Sequence, residues 1–426
     1  MRYSLLDHVV DPESRRPMRV IESVRTNSAA PDGWTRCRRW CGRFGTVAEG
    51  IDADTCRRCL SEDVLEGTIQ AEGGPAHPVI RGVPRILDDA CLSLVADLPE
   101  SWITSHGRTI KPDATAFTEQ QRRTAQAFGE EWLYFSETLP DYEPIARAYF
   151  DMLADSHFSG LTLDAGCGMG RWARYAAARG GTLIALDLSA SVDVAVRSLD
   201  GLPNSHVVQA DVHRPPFLPA TFDLIYSLGV LHHLPDPKVG LVEVARHLKP
   251  GGTFLGYFYY ALDNRPAFYR ALLPLVSGVR RVIARLPHWF ARWLCFVLAV
   301  TVYWPLILLG TLLRAIGLPQ VARQVPLYEF YGGKSFRILF NDSVDRFATA
   351  VEFRYSRAEL EAMLAAADLE SVRFSDTTPY WKVSGVRAAA APSEGSGRDR
   401  ARAVSPGGAG PMMTHGARGS CQRSRT

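Results

Sequence analysis

Five short apolar runs, separated by stretches of helical period, give the middle of the chain its pattern. They lie at 161–165, 182–188, 206–211, 222–227 and 253–258. Apolar runs of this length, bounded by turn residues and alternating with helices, are typical of buried parallel strands. The pattern therefore predicts an α/β fold built on a mostly parallel sheet with helices on both faces.

Two further strands are expected near the end of the ordered part of the chain. Ser356 and Glu359 have the spacing of a capping box, which begins a helix. Apolar alternation then predicts strands at 370–374 and 380–386. With these two, the sheet would have seven strands.

A glycine-rich turn follows the first strand, with glycines at Gly166, Gly168 and Gly170. Glycines let the backbone turn tightly and approach a ligand, and the N-terminus of the next helix offers free N–H groups. The second and third runs end near Asp187 and Asp211, where acidic side chains of nucleotide-binding folds contact the ligand. A capping role at the strand ends is the alternative for both aspartates.

Five motifs at family spacing carry a resemblance. They are LDAGCGMGRWARYAA, ALDLS, QADVHRPPF, FDLIYSLGVLHHLPDP and LKPGG. Together they resemble the class I S-adenosylmethionine-dependent methyltransferases, and most of all the subgroup of the ubiquinone/menaquinone-biosynthesis methylases. The resemblance implies a Rossmann-like seven-stranded sheet and S-adenosyl-L-methionine as cofactor.

The same resemblance assigns the cofactor-binding residues. They are Asp164, Gly166, Gly168, Gly170, Asp187, Leu188, Asp211, Val212, Leu228 and Gly229. It implies that Asp187 accepts the ribose hydroxyls and that Asp211 accepts the adenine amino group. His232 and His233 follow the fourth strand, and either could act as a general base, because histidine titrates near neutral pH. The alternative is that the pair only shapes its loop.

Four cysteines near the N-terminus are paired as Cys37-x3-Cys41 and Cys56-x2-Cys59. This spacing is typical of a structural zinc ribbon, and the alternative is four reduced cysteines in a surface hairpin. The segments around them resemble the small zinc-ribbon activators of tRNA methyltransferases. The resemblance implies a structural Zn²⁺ on the four thiolates.

Residues 91–155 have a helical pattern, and the segment Ala127–Trp132 within them resembles the helices that cover the cofactor in related methylases. Trp132 or Phe135 could face a sulfonium, because aromatic faces attract cations. Core packing is the alternative use of each ring.

The segment 264–328 contains eight arginines and no acidic residue, and 293–313 carries no charge at all. That length suits a membrane span, but a single crossing would separate the last two strands from their sheet. Either the segment enters and returns with a break at Pro305, or it lies in the membrane interface. A buried helical lid or a dimer face is the alternative.

Charge and cysteine usage bear on nucleic-acid binding and on the cellular compartment. The formal charge is +3, but residues 388–426 hold six arginines and two acidic residues, which leaves −1 for the rest. Nucleic-acid binding is therefore not expected from charge. No N-terminal signal peptide is evident, and the cysteine pattern suits a reducing cytoplasm.

We therefore expect methyl transfer to a small or lipid-like acceptor by a cytoplasmic, monotopically or peripherally membrane-associated enzyme. A tRNA or rRNA methyltransferase and a non-catalytic membrane-attached scaffold are the alternatives, and the sequence leaves the oligomeric state unknown. The expected divisions are a zinc-ribbon-like module at 1–90, a helical linker and cofactor cover at 91–155, a methyltransferase domain at 156–387 with a helical apolar insertion at 264–340, and a disordered tail at 388–426.

Overall fold

Thirteen strands lie in the part of the chain that the computed structural model describes, namely residues 1–27, 37–110, 116–262, 267–349, 351–377 and 381–389. They are β1 (Met18–Asn27), β2 (Trp40–Cys41), β3 (Thr46–Val47), β4 (Glu62–Ala71), β5 (Ala76–Ile80), β6 (Val83–Pro84), β7 (Leu161–Ala165), β8 (Thr182–Asp187), β9 (Ser205–Gln209), β10 (Phe222–Leu228), β11 (Leu248–Tyr257), β12 (Leu369–Phe374) and β13 (Lys382–Arg387).

Seven of these strands form one sheet in the order β12-β13-β11-β10-β7-β8-β9. Strands β7 to β11 pair in parallel, whereas β13 runs antiparallel to both β11 and β12. The predicted Rossmann-like sheet of seven mostly parallel strands is confirmed. Parallel strands with carboxyl ends at one edge, where the chain order reverses between β7 and β10, create a crevice for a ligand there.

Fourteen α-helices lie in the described residues. They are α1 (Ala53–Leu60), α2 (Glu100–Ser105), α3 (Ala116–Tyr134), α4 (Tyr142–Tyr149), α5 (Arg171–Ala177), α6 (Val192–Ser198), α7 (Pro237–Arg246), α8 (Ala267–Ile283), α9 (His288–Leu298), α10 (Trp304–Ala315), α11 (Pro319–Ala322), α12 (Tyr328–Tyr331), α13 (Phe336–Ala348) and α14 (Arg357–Ala366). The predicted capping box begins α14, since the Ser356 hydroxyl accepts from the Glu359 N–H and the Glu359 carboxylate accepts from the Ser356 N–H.

One strand boundary differs from the prediction. The fifth parallel strand was expected from Thr253, but β11 begins at Leu248. Its pairing with β10 shifts register, with Phe222 opposite Leu248 and Leu224 opposite Thr253. The turn residues between them are accommodated as an irregularity inside the strand, which a periodicity argument does not see.

The N-terminal residues share a core with the seven-stranded sheet. Strands β1, β4, β5 and β6 form their own antiparallel sheet, and the Ile86 N–H donates to the carbonyl of Gln209 at the edge of β9. Arg85 is fully buried there and donates to Asp193 Oδ1 at 2.6 Å and to Gln209 Oε1 at 3.0 Å. Met1–Ala389 form one compact unit, and the divisions at 90 and 155 stay predictions. The predicted tail lies outside the described residues from 390 onward.

The four paired cysteines are buried near one another. The Cys41 and Cys59 thiols form a hydrogen bond, which lowers the pKa of Cys41 to about 6. Burial, Asp7 and the neighbouring Cys41 and Cys56 raise the pKa of Cys37 to about 12. Within the described ranges, no three His, Cys, Asp or Glu side chains are arranged to hold a metal ion. The zinc ribbon therefore stays a prediction, which elemental analysis of the purified protein can check.

The insertion forms a long helical segment on the surface of the domain. Helices α9 and α10 are joined by a π-helical stretch, Ala299–Tyr303, and together form one helix of 28 residues, within which an 18-residue window has a mean hydropathy of 2.2. This is long and apolar enough to cross a membrane by length and composition. The break at Pro305, which belonged to one of the two alternatives, is not seen, because the π-helical stretch just before this residue already departs from the regular helical hydrogen-bond pattern and the helix continues as α10.

Candidate functional site

The glycine turn between β7 and α5 contains backbone conformations with positive φ angles, which glycine adopts without strain. Gly166, Gly168 and Gly170 have φ angles of 94°, 52° and 82°. The Gly168 N–H donates to Asp187 Oδ2 at 2.8 Å, and the Ser189 N–H and hydroxyl donate to Asp187 Oδ1 at 2.8 and 2.7 Å. Asp187 therefore ties the glycine turn to the end of β8, and its carboxylate keeps further acceptor sites for a ligand.

Substituting Gly166 tests this packing. A Cβ at Gly166 would lie 2.4 Å from Val230 Cγ2, so Gly166→Ala should lower the free energy of unfolding by about 2 kcal/mol or more, from strain plus overpacking. Gly180→Ala is the matched control, because Gly180 also has a positive φ but a Cβ there meets nothing within 4 Å. Urea unfolding should show a smaller loss for Gly180→Ala, and adding Val230→Ala should restore part of the stability of Gly166→Ala. Equal losses at both glycines would contradict this account.

Asp211 follows the third parallel strand and is held in place by His213. It accepts from the His213 N–H at 2.9 Å, and its Oδ1 lies 3.0 Å from His213 Nδ1. Burial alone would raise the pKa of Asp211, but the hydrogen bonds and charge of His213 and the hydrogen bond of Gln121 lower it overall. Asp211 is therefore an ionised acceptor at neutral pH.

A cavity of about 160 Å³ lies at the carboxyl ends of the parallel strands, under α3, α12 and α13. Eight of the ten predicted cofactor-binding residues line it, namely Gly166, Gly168, Asp187, Leu188, Asp211, Val212, Leu228 and Gly229. Two acceptor carboxylates at successive strand ends, together with a glycine cradle that a Cβ would obstruct, fit an adenosine-bearing cofactor.

Asp164 and Gly170 do not line this cavity. Asp164 is only 1% exposed, and burial raises the pKa of its carboxyl well above the usual range, with the charge of Asp187 adding to the effect. Gly170 packs against α6, where its Cβ position lies 3.1 Å from Ala195 Cα. Both residues lie beneath the glycine turn and outside the cavity lining. Their contact with a ligand stays a prediction.

The two histidines have different surroundings. His232 is fully buried away from the cavity, its ring centroid is 4.0 Å from that of Tyr259, and burial lowers its pKa well below the usual value. His233 lines the cavity, and its Nδ1–H donates to the Val351 carbonyl at 2.6 Å. Because a carbonyl only accepts, the neutral His233 ring carries its lone pair on Nε2. The geometry favours His233 as the candidate base.

Helix α13 brings further polar groups to the cavity, which the sequence analysis missed. Asp345 Oδ1 lies 3.9 Å from His233 Nε2, and the Tyr259 hydroxyl donates to Asp345 Oδ2 at 2.6 Å. Burial raises the pKa of Asp345. Asn341 and Asp342 of the same helix also line the cavity. No local signal marks these residues, since only the return of the chain after the insertion places them there.

Arg171 is a second residue that the sequence analysis missed. It lines the cavity, donates to Asn341 Oδ1 at 3.3 Å, and holds its guanidinium 4.4 Å from the Trp132 ring centroid. A signal was present, because Arg171 is the first residue of α5, where the helix dipole disfavours a cation. Of the two predicted aromatic candidates, Trp132 lines the cavity, whereas Phe135 is 1% exposed and packs in the core.

Glu131 is buried behind this site and accepts from Asn341 Nδ2 at 2.7 Å. Burial raises its pKa well above the usual 4.5, and the charge of Asp345 adds to the effect. The folded protein therefore keeps this proton at pH values where the unfolded chain has lost it, so the stability contribution is full below pH 4.5 and falls as pH rises.

Replacing Glu131 removes that dependence. At pH 8, Glu131→Gln should be more stable than the unsubstituted protein by at least about 1 kcal/mol, with little difference at pH 4.5. Urea unfolding at the two pH values measures it. Glu130→Gln is the matched control, because the side chain of Glu130 is 53% exposed. A stability gap for Glu131→Gln that does not grow with pH would rule the buried proton out.

Comparison with known proteins relates this chain to methyltransferases. The family described as "Methyltransferase domain" matches residues 163–256. The chain is 33% identical over 171 residues to a ubiquinone biosynthesis O-methyltransferase of Chromobacterium violaceum, covering 38% of this chain and 71% of that protein. It is 32% identical over 163 residues to the protein of the same description from Paracidovorax citrulli, covering 37% of this chain and 66% of that one.

Among solved structures, human N-acetylserotonin methyltransferase in complex with S-adenosylmethionine matches with a TM-score of 0.38 and 15% identity. It covers 71% of this chain and 66% of that one, and a likeness of this level carries no inference about function. The chain spans 59–66% of the length of the first curated relatives it matches. The match to the Chromobacterium protein nevertheless extends over most of that relative. The chain belongs to the class I S-adenosylmethionine-dependent methyltransferases.

Proposed function

We propose that this protein transfers a methyl group from S-adenosylmethionine to a lipid-like acceptor. The observation that carries the proposal is the cavity at the carboxyl edge of the sheet, where eight predicted cofactor-binding residues meet a helical insertion rich in apolar and arginine side chains. Some matched relatives are described as O-methyltransferases of ubiquinone biosynthesis and others as O-methyltransferases of malonyl-[acyl-carrier protein], which supports an oxygen acceptor.

The cofactor-binding part of the cavity would divide its work among three groups. Asp187 would accept the ribose hydroxyls, and Asp211 with Val212 would hold the adenine ring. Arg171 would pair with the carboxylate of the methionine part, since guanidinium binds carboxylate in a bidentate manner. When bound, S-adenosylmethionine supplies an electrophilic methyl group on a sulfonium.

The remaining residues would prepare the acceptor. His233 would take the proton of an acceptor hydroxyl on Nε2 as the oxygen–carbon bond forms and the carbon–sulfur bond breaks, with its electrons leaving on sulfur. Asp345, 3.9 Å away, would stabilise the imidazolium. Helices α3, α12 and α13 cover the cavity, which excludes water and strengthens these interactions.

We also propose that the long helix rests on a membrane surface. One stripe of α9 and α10 is exposed; it consists of Trp289, Trp293, Phe296, Val300, Trp304, Leu308 and Leu312. The opposite face packs on the domain, where the Ser343 hydroxyl donates to the Cys295 carbonyl at 3.0 Å. The strands on either side of the insertion pair with each other, Tyr257 with Lys382, so the helix would lie in the interface and not cross it.

Methyl transfer tests the proposal directly. Purified protein is incubated with S-adenosylmethionine carrying a tritiated methyl group and a bacterial extract, and the products are partitioned between organic solvent and water. Label should enter the organic phase with the unsubstituted protein and not with Asp187→Ala. Label confined to the RNA fraction would favour a tRNA or rRNA methyltransferase, and no label in any fraction would contradict enzymatic activity.

A further inference from the structure

A second cavity of about 330 Å³ lies between the inserted helices and the cofactor site. It shares three wall residues with the first cavity, namely Tyr257, Phe330 and Tyr331. Two cavities with a common wall can hold two reactants side by side. The position of the second cavity is therefore that of a methyl acceptor.

Much of the wall of this second cavity is apolar. The apolar part comes from the inserted helices and from residues just before and between them, and it consists of Leu262, Leu273, Val276, Val302, Leu306, Val325 and Leu327. Surfaces of this kind bind hydrocarbon because apolar area is removed from water on both partners, at about 25 cal/mol per Å². One end of the ligand is therefore an apolar chain.

The other notable wall residues are four arginines, Arg280, Arg323, Arg346 and Arg354, against the two glutamates Glu329 and Glu352. Arg354 pairs with Glu352 at 2.8 Å, and Arg346 donates to Asp342 at 2.7 Å. With Asp342 counted, four arginines stand against three carboxylates, so one positive charge remains in excess at this wall. A ligand with an anionic group would balance this excess.

Two of these arginines lie on the side nearest the cofactor site. The guanidinium carbons of Arg346 and Arg354 are 5.3 and 5.5 Å from the ring centroid of Tyr259. Tyr259 lines the first cavity and donates to Asp345, beside the candidate base His233. The charged end of a ligand would therefore lie next to the methyl-transfer site, with its apolar chain along the inserted helices.

We propose that the second cavity binds the methyl acceptor, and that this acceptor is an amphiphile with an anionic head group on an apolar chain. This inference rests on the proposed methyltransferase function and narrows its substrate class. The anion is recognised at Arg346 and Arg354, and the chain occupies the space beside Val276 and Leu306.

Three probes with matched parts test the assignment by calorimetry on the full chain. Dodecyl phosphate has both the chain and the anion, dodecanol has the chain alone, and inorganic phosphate has the anion alone. Dodecyl phosphate should bind at least tenfold more tightly than either of the other two. Equal affinity for dodecanol and dodecyl phosphate would overturn the anionic head group, and binding of inorganic phosphate alone would overturn the amphiphile.

Two variants locate the binding. Val276→Trp fills the second cavity and should abolish dodecyl phosphate binding, whereas Leu275→Trp, at a neighbouring position that is 67% exposed, should not. Arg354→Gln should reduce the preference for dodecyl phosphate over dodecanol at least fivefold, with Arg357→Gln on α14 as the control. Unchanged binding in Val276→Trp and Arg354→Gln would contradict the site.

S-adenosylhomocysteine is titrated into the same samples. If it binds and dodecyl phosphate does not, the acceptor assignment is wrong and the methyltransferase proposal stands. If S-adenosylhomocysteine fails to bind, the proposed function is wrong, and any amphiphile binding belongs to a protein without this activity. The two failures are therefore distinguishable.

Discussion

Asp187→Ala is expected to weaken S-adenosylhomocysteine binding by at least about tenfold, or about 1.4 kcal/mol. Two losses combine in this variant. The ribose hydroxyls lose their proposed acceptor, and the Gly168 and Ser189 N–H groups lose the carboxylate that now orders the glycine turn, both at 2.8 Å. Isothermal titration of the variant against the unsubstituted protein measures the effect.

A matched control separates this effect from a general change of charge. The side chain of Asp155 is 87% exposed and lies just before β7, at the sheet edge opposite the cavity. Asp155→Ala should leave the affinity unchanged. An unchanged affinity in Asp187→Ala, in a variant that unfolds at the same urea concentration, would remove Asp187 from the site.

Replacing Trp293, Leu308 and Leu312 together by glutamine is expected to lower binding to anionic lipid vesicles at least about a hundredfold, since each inserted side chain contributes about 1.5–3 kcal/mol. The three side chains are 55%, 51% and 54% exposed, so the loss of internal packing should be small. Sedimentation with vesicles of phosphatidylcholine and phosphatidylglycerol measures the bound fraction. The variant should remain in the supernatant and still bind S-adenosylhomocysteine.

Three strands near the N-terminus offer the control for this experiment. Val24, Val47 and Leu65 are 62%, 56% and 41% exposed and lie outside the helical insertion. Their replacement by glutamine should leave sedimentation unchanged. If the variant with all three helix substitutions pelleted with vesicles to the same extent as the unsubstituted protein, the interpretation of the insertion as a buried lid or a dimer face would replace membrane contact.

The sheet was predictable from the sequence because its strands are local features. Each parallel strand is a short apolar run whose carboxyl end is marked by a glycine turn or an aspartate, as at Asp187 and Asp211. The family motifs follow the same strand ends in chain order. Eight of the ten predicted cofactor-binding residues therefore line one cavity.

The polar residues that α13 brings to the cavity were not predictable in the same way. Asn341, Asp342 and Asp345 reach the cavity only because the chain leaves the sheet at Tyr257, passes through the insertion and returns as α13. No period or spacing in the sequence encodes that approach. Arg171 is different, since a cation at the start of a helix is locally unfavourable and could have been recognised as a ligand-binding candidate.

The break at Pro305, one of the two alternatives for the insertion, is not seen in the structure. A proline inside an apolar helical run normally ends the helix, but the π-helical stretch Ala299–Tyr303 lies just before it and α10 continues the helix. The continuous helix places most of its exposed rings and aliphatic side chains along one side. A broken segment would not present them in this way.

Calorimetric titration of the purified full chain with S-adenosylmethionine and S-adenosylhomocysteine, with and without lipid vesicles, tests the central claim most directly. The account predicts a micromolar dissociation constant for both compounds, with one molecule bound per chain. Absence of binding in both conditions would contradict the methyltransferase assignment and bring forward the non-catalytic scaffold.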